Sequence, residues 1–226
     1  MRKEKLEILV LTSIASVMIL FVLNYLLMGD YIFVSVVKWL LFLGMPVIVA
    51  VHYSDYTIFK GTLTLEPVNF NRDTNTLVIT FLPLLGIMLA FLGLEHLIDL
   101  DIIENNLVTY YRLSRGNFIL YGLYMVFVNS LLEEFFFRGF IFLNLRKLGY
   151  PRLAYVLSAG LFSLYHLDLI IHWFSPGIVL LSLLGIFLGG LIFAYLDTLT
   201  DGLSEGLAAH VLADLMLLAI AGINFF

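Results

Sequence analysis

The chain has 226 residues, 62% of them hydrophobic and only 13% charged. A soluble domain carries about 25% charged residues, so too little polar surface remains here to face water on every side. The formal net charge of -5 provides no basic face and excludes nucleic acid as a partner, and the lack of cysteine excludes disulfides, thiolate metal ligands and a cysteine nucleophile. These bounds predict a single integral-membrane domain over residues 1–226, an all-α polytopic helix bundle.

About 20 apolar residues are needed to cross a hydrocarbon core. Seven runs reach that length: Leu6–Met28, Tyr31–Tyr53, Asn75–Leu94, Asn117–Leu145, Leu153–Trp173, Gly177–Leu196 and Leu203–Phe225. The first follows Met1-Arg2-Lys3-Glu4-Lys5 and is too long for a signal-peptide core of about 7–15 residues, so it reads as a retained span. Lys38, near one end of the second run, is expected to snorkel to the interface. Between the second and third runs, Ser54–Thr74 carries Gly61 and Pro67 and reads as a polar loop. In the stretch His96–Gly116, Leu97, Leu100, Ile103 and Leu107 recur every three to four residues between Asp99, Asp101 and Glu104, which predicts an interfacial amphipathic helix. With the N-terminus placed in the cytoplasm, that side receives Arg2, Lys3, Lys5, Lys60, Arg72, Arg146, Lys147 and Arg152, against Arg112 and Arg115 opposite. The positive-inside rule therefore predicts a cytoplasmic N-terminus.

The fourth run contains Glu133, Glu134 and Arg138 among Leu131, Leu132, Phe135, Phe136 and Phe137. A charged residue at a helix centre costs about 2.5–3.5 kcal/mol on insertion scales, so such a cluster points to a function facing the bundle interior. Three further polar residues fall within later runs: His166 in the fifth, and His210 and Asp214 in the seventh. His210 and Asp214 stand four residues apart and share a helix face, as do Glu134 and Arg138. The expectation is that Glu134 and Arg138 neutralise each other as structural support. Glu133, turned about 100° away, then faces a polar intramembrane cavity with His166, His210 and Asp214. Asp168 either ends the fifth span or lines the mouth of the site. His52, His96 and His172 lie at span ends and read as interfacial.

Several chemistries are missing. No His-Glu-x-x-His zinc motif occurs, since Glu95-His96 lacks the spacing. No serine stands in a Gly-x-Ser-x-Gly elbow. Gly29-Asp30 stands at a span end, so the Gly-Asp pairing of aspartyl intramembrane proteases is also lacking.

Taken in order, Glu-Glu-x-x-x-Arg at 133–138, Phe-x-x-x-His at 162–166 and His-x-x-x-Asp at 210–214 resemble the motifs of the CAAX-protease and bacteriocin-processing superfamily, which contains the type II CAAX prenyl endopeptidases. The resemblance covers roughly residues 117–226. It implies a membrane-embedded, glutamate-dependent endopeptidase with no metal and no cofactor, acting on a peptide or protein substrate, lipidated or not. By position, Glu133 and His166 would activate a water, and His210 with Asp214 would stabilise the oxyanion. The endopeptidase branch typically has Asn at the last position; an ionised Asp214 cannot donate to an oxyanion, so it would either donate in its protonated form or hold His210 as an imidazolium that donates alone. Other readings use the same residues: a non-catalytic immunity or regulatory protein, a proton-coupled carrier, or a zinc site built from Glu133, His166, His210 and Asp214.

Small residues in the sixth run, Gly185, Gly189 and Gly190, and Gly202 and Gly206 at the start of the seventh, are expected to let helices approach closely.

Overall fold

The computed structural model describes residues 2–26, 31–59 and 74–226, and all regular structure among them is helical. Lys60, Arg72, Gly29-Asp30 and most of the 54–74 loop lie outside the described residues. The helices are α1 (Arg2–Leu26), α2 (Tyr31–Tyr53), α3 (Thr74–Leu94), α4 (Leu100–Thr109), α5 (118–147), α6 (Pro151–Tyr165), α7 (Leu167–Ile171), α8 (Pro176–Asp197) and α9 (Ser204–Phe225). A membrane bundle must satisfy its backbone polar groups internally, and helices do so within each segment. Buried hydroxyls follow the same logic: Ser13 donates to the Leu9 carbonyl at 2.6 Å and Thr80 to that of Thr76 at 2.9 Å.

Five helical stretches are long and apolar enough to cross a membrane: Arg2–Asn24, Phe33–Tyr53, Thr74–Leu97, Pro176–Asp197 and Ser204–Phe225. The other two expected spans take different forms. Leu153–Trp173 is not one helix, because α6 stops at Tyr165 and α7 restarts at Leu167. The 15 residues of α6 reach about 22 Å, short of a roughly 30 Å core. The fourth expected span, α5, is continuous but alternates its winding. Tyr124–Asn129 and Glu134–Leu143 are π-helical, joined by an α-helical turn at Ser130–Glu133. π-Turns are rare and concentrate at functional sites.

The ends of the bundle are identified by their contacts. At one, Lys5 Nζ meets Asp55 at 2.6 Å, the Arg2 guanidinium donates to the Leu148 carbonyl at 2.8 Å, and Arg146 pairs with Asp201. The Lys5 and Thr57 hydrogen bonds hold the Asp55 carboxyl down at about 2. At the other end, Ile103, Leu107 and Leu113 pack with Tyr111, Trp173, Phe225 and Phe226. There α4 buries Ile103 and Leu107, and Asp99 caps it by accepting from the Ile102 N–H at 3.2 Å. This is the amphipathic element that the 96–116 spacing predicts. His52, His96 and His172 are exposed.

Between the ends, aromatic packing joins the N-terminal helices to α5. Phe42 of α2 stacks on Phe136 with centroids 4.2 Å apart and meets Phe137 edge-on at 5.3 Å. The Ser158 hydroxyl of α6 donates to the Phe137 carbonyl at 2.8 Å. Across the α6–α8 crossing only one of the three expected glycines is pressed. A Cβ on Gly190 would lie 3.1 Å from both Ala159 Cα and Cβ and 3.4 Å from an Arg138 terminal nitrogen, whereas Gly185 and Gly189 face open space. Because Ala159 Cα is backbone, G190A forces the helices apart and costs about 1–3 kcal/mol, the usual penalty of overpacking. Thermal unfolding in detergent should show that loss for G190A and none for G185A.

Candidate active site

Three helices and one helix break supply the polar cluster: α5, α9 and, unexpectedly, α2, with the break between α6 and α7. Glu133 and Glu134 are 2% and 0% exposed, and Arg138 is 0% exposed. The Arg138 terminal nitrogen stands 3.1 Å from Glu134 Oε1, which gives the expected i, i+4 pair. Its guanidinium also lies over the Phe162 ring at 4.1 Å and near the Phe193 ring at 5.1 Å, faces that attract a cation.

Glu134 does more than neutralise Arg138. The same Oε1 accepts from His210 Nδ1 at 2.7 Å. His210 also stacks against Phe193 at 4.9 Å and meets Phe162 edge-on at 5.5 Å. Its other nitrogen, Nε2, lies 3.9 Å from Glu133 Oε2 and 3.6 Å from Asp214 Oδ2. Each ring nitrogen thus faces carboxylate oxygens, which only accept, so both are placed to donate.

His166 sits at the joint between α6 and α7. Its Nδ1 lies 2.8 Å from the Phe162 carbonyl. A carbonyl can only accept, so Nδ1 carries the hydrogen and the neutral ring presents Nε2 as an acceptor. That nitrogen is 3.9 Å from Glu133 Oε2, too long for a direct hydrogen bond and open enough for one small molecule to touch both. The side chains of His166 and Asp214 are each 21% exposed, against 2% for Glu133 and 5% for His210. The cluster is therefore reached from the His166 and Asp214 side.

All six sequence-selected residues, Glu133, Glu134, Arg138, His166, His210 and Asp214, come together. Asp214 has a partner the spacing did not disclose: the Ser130 hydroxyl donates to its Oδ2 at 2.5 Å. Asp168 lies half-buried in the first turn of α7. Sequence reasoning missed two members. Lys38 does not snorkel; it is 7% exposed, and its Nζ donates to Asn129 Oδ1. Asn129 in turn donates from Nδ2 to Glu133 Oε1 at 2.7 Å. The position of Asn129 four residues before Glu133 was the available signal. Among the described residues, no group of three or more His, Asp or Glu side chains is arranged to hold a metal ion.

Compared with known families, residues 115–216 match the model described as type II CAAX prenyl endopeptidase Rce1-like. The match takes in α5 to most of α9, and so contains Glu133, Glu134, Arg138, His166, His210 and Asp214 but not Lys38. No curated protein and no solved structure matches the chain.

Proposed function

We propose, on the match of residues 115–216 to the type II CAAX prenyl endopeptidase Rce1-like model, that this membrane protein is a protease that hydrolyses a peptide bond with a water activated by Glu133 and His166. The observation that carries the reading is the 3.9 Å separation of Glu133 Oε2 from His166 Nε2. A water between them can give one proton to the carboxylate while the imidazole accepts its other hydrogen. Its oxygen then bonds to the scissile carbonyl carbon, and charge grows on the carbonyl oxygen. His210 Nε2 is the donor for that charge, in a site where scarce water strengthens each electrostatic contact. When the C–N bond breaks, Glu133 returns its proton to the departing amine.

Asp214 takes a different part from an oxyanion donor. It accepts from Ser130 and lies 3.6 Å from His210 Nε2, beyond a hydrogen bond, which suits a carboxylate that holds His210 as imidazolium and leaves that N–H for the oxyanion. Glu134 anchors the same ring at Nδ1, and Arg138 anchors Glu134. The substrate is a peptide or protein, lipidated or not, that approaches from the exposed side of His166 and Asp214. Neither a metal nor a cofactor enters this scheme. The motif-bearing half, residues 117–226, carries the chemistry within a single membrane domain, and Arg2, Lys5 and Arg146 gathered at one end support a cytoplasmic N-terminus.

The test compares membrane peptides from cells carrying wild type and E133Q. The expected result is a set of product termini present with wild type and lost with E133Q. An unchanged peptide set would instead mark an immunity or regulatory protein if biological protection stays intact, or a proton-coupled carrier if transport is altered.

A further inference from the structure

Behind Glu133 runs a second line of polar contacts that begins in the N-terminal half of the chain. Lys38 on α2 is turned inward and 7% exposed. Its ammonium donates to Asn129 Oδ1, and the amide nitrogen of Asn129 donates to Glu133 Oε1 at 2.7 Å. The direction of this line is forced. An ammonium offers only donors and a carboxylate only acceptors, so the amide between them must turn its oxygen to Lys38 and its NH₂ to Glu133. The Tyr165 ring, one residue before His166, lies 5.9 Å from the same ammonium, so the cation is held by α2, α5 and α6 together.

We propose that Lys38, acting through Asn129, is a positioning residue for Glu133. The role rests on the reading of Glu133 as the base that activates water. With Oε1 held from behind, Oε2 is the oxygen left 3.9 Å from both His166 and His210. Without the ammonium, the Asn129 amide can flip and present either a donor or an acceptor to the carboxylate, and Glu133 loses its fixed rotamer. A site whose groups must be held to about 0.5 Å is sensitive to such loosening. Lys38 lies outside residues 115–216, so the N-terminal helices would complete a site whose other residues come from the matched region.

The experiment uses full-length protein in native membranes, with wild type, E133Q, K38M, K38R, N129L and the double variant K38M/N129L at matched abundance. Product termini that vanish in E133Q are the readout. K38M and N129L should each slow their formation about 10–100-fold, as loss of a supporting hydrogen bond does at other sites. The double variant should be no slower than either single one, because both remove the same line. K38R, which keeps a buried donor, should recover most of the rate; a residue that merely fills space gives no such rescue. Wild-type rates in K38M, losses that multiply in the double variant, or K38R as slow as K38M each overturn the proposal. Should K38M fail to accumulate, N129D decides. It keeps its size and pairs with Lys38, yet turns an acceptor on Glu133, so it should be as slow as N129L, and full activity overturns the role. If E133Q loses no product, the hydrolase reading itself fails and the positioning role falls with it.

Discussion

Arg138→Met should destabilise the folded protein by about 3–5 kcal/mol, the loss expected when one partner of a buried ion pair is removed and the other charge stays behind. Arg138 and Glu134 are both 0% exposed and 3.1 Å apart. Methionine keeps much of the volume between Phe162 and Phe193 but leaves the Glu134 carboxylate with His210 alone. The loss should therefore spread to activity, because the ring that Glu134 anchors is the proposed oxyanion donor. R138K restores charge without the planar fork that fits between two rings, so its stability should fall between the other two. Thermal unfolding of the three proteins in one detergent checks the order. An R138M protein as stable as wild type would mean that the pair is solvated and the helix packing carries the stability.

His166→Ala should do the reverse, leaving stability nearly intact while slowing product formation about 10²–10⁴-fold, the usual worth of a general acid or base group. The residue occupies the joint after Tyr165, and its side chain is 21% exposed, so truncation leaves a hollow open to the outside rather than a sealed cavity. What is lost is an acceptor with a fixed tautomer, because the Nδ1 contact with the Phe162 carbonyl leaves Nε2 aimed at the Glu133 side. Rates measured beside unfolding curves separate this variant from R138M. Full activity in H166A would assign water activation to Glu133 alone.

Much of the site is legible in the chain because ionised residues in apolar runs are costly enough to expose themselves. Glu133, Glu134, Arg138, His166, His210 and Asp214 stand out by that criterion, and the i, i+4 spacing foretells the Glu134–Arg138 pair. It does not foretell the His210–Glu134 bond, since 76 residues of chain separate the two and only packing brings α9 against α5. Lys38 was legible as a charge but misread. Its place near a span end suggested water, and its partner Asn129 belongs to another helix. The π-winding of Glu134–Leu143 was hidden for a different reason. In a run as uniformly apolar as Phe135–Leu143, apart from Arg138, a shift from i+4 to i+5 bonding leaves no periodicity to read. The break at His166 was signalled only by Asp168, which left the end of the span and the mouth of the site as alternatives, because Leu167, Leu169, Ile170 and Ile171 continue the apolar run. Glycine spacing likewise suggested three close contacts in α8, where only Gly190 meets backbone.

Activation of water by Glu133 is tested by taking a Glu133-dependent peptide from the membrane comparison and incubating it in ¹⁸O-labelled water with purified protein in lipid nanodiscs. Wild type and E133Q are assayed side by side after exhaustive chelation. Wild type should cleave at an undiminished rate, with ¹⁸O in the new carboxyl terminus, and E133Q should not cleave. Cleavage by E133Q at the wild-type rate, or loss of wild-type cleavage on chelation, would contradict water activation by Glu133.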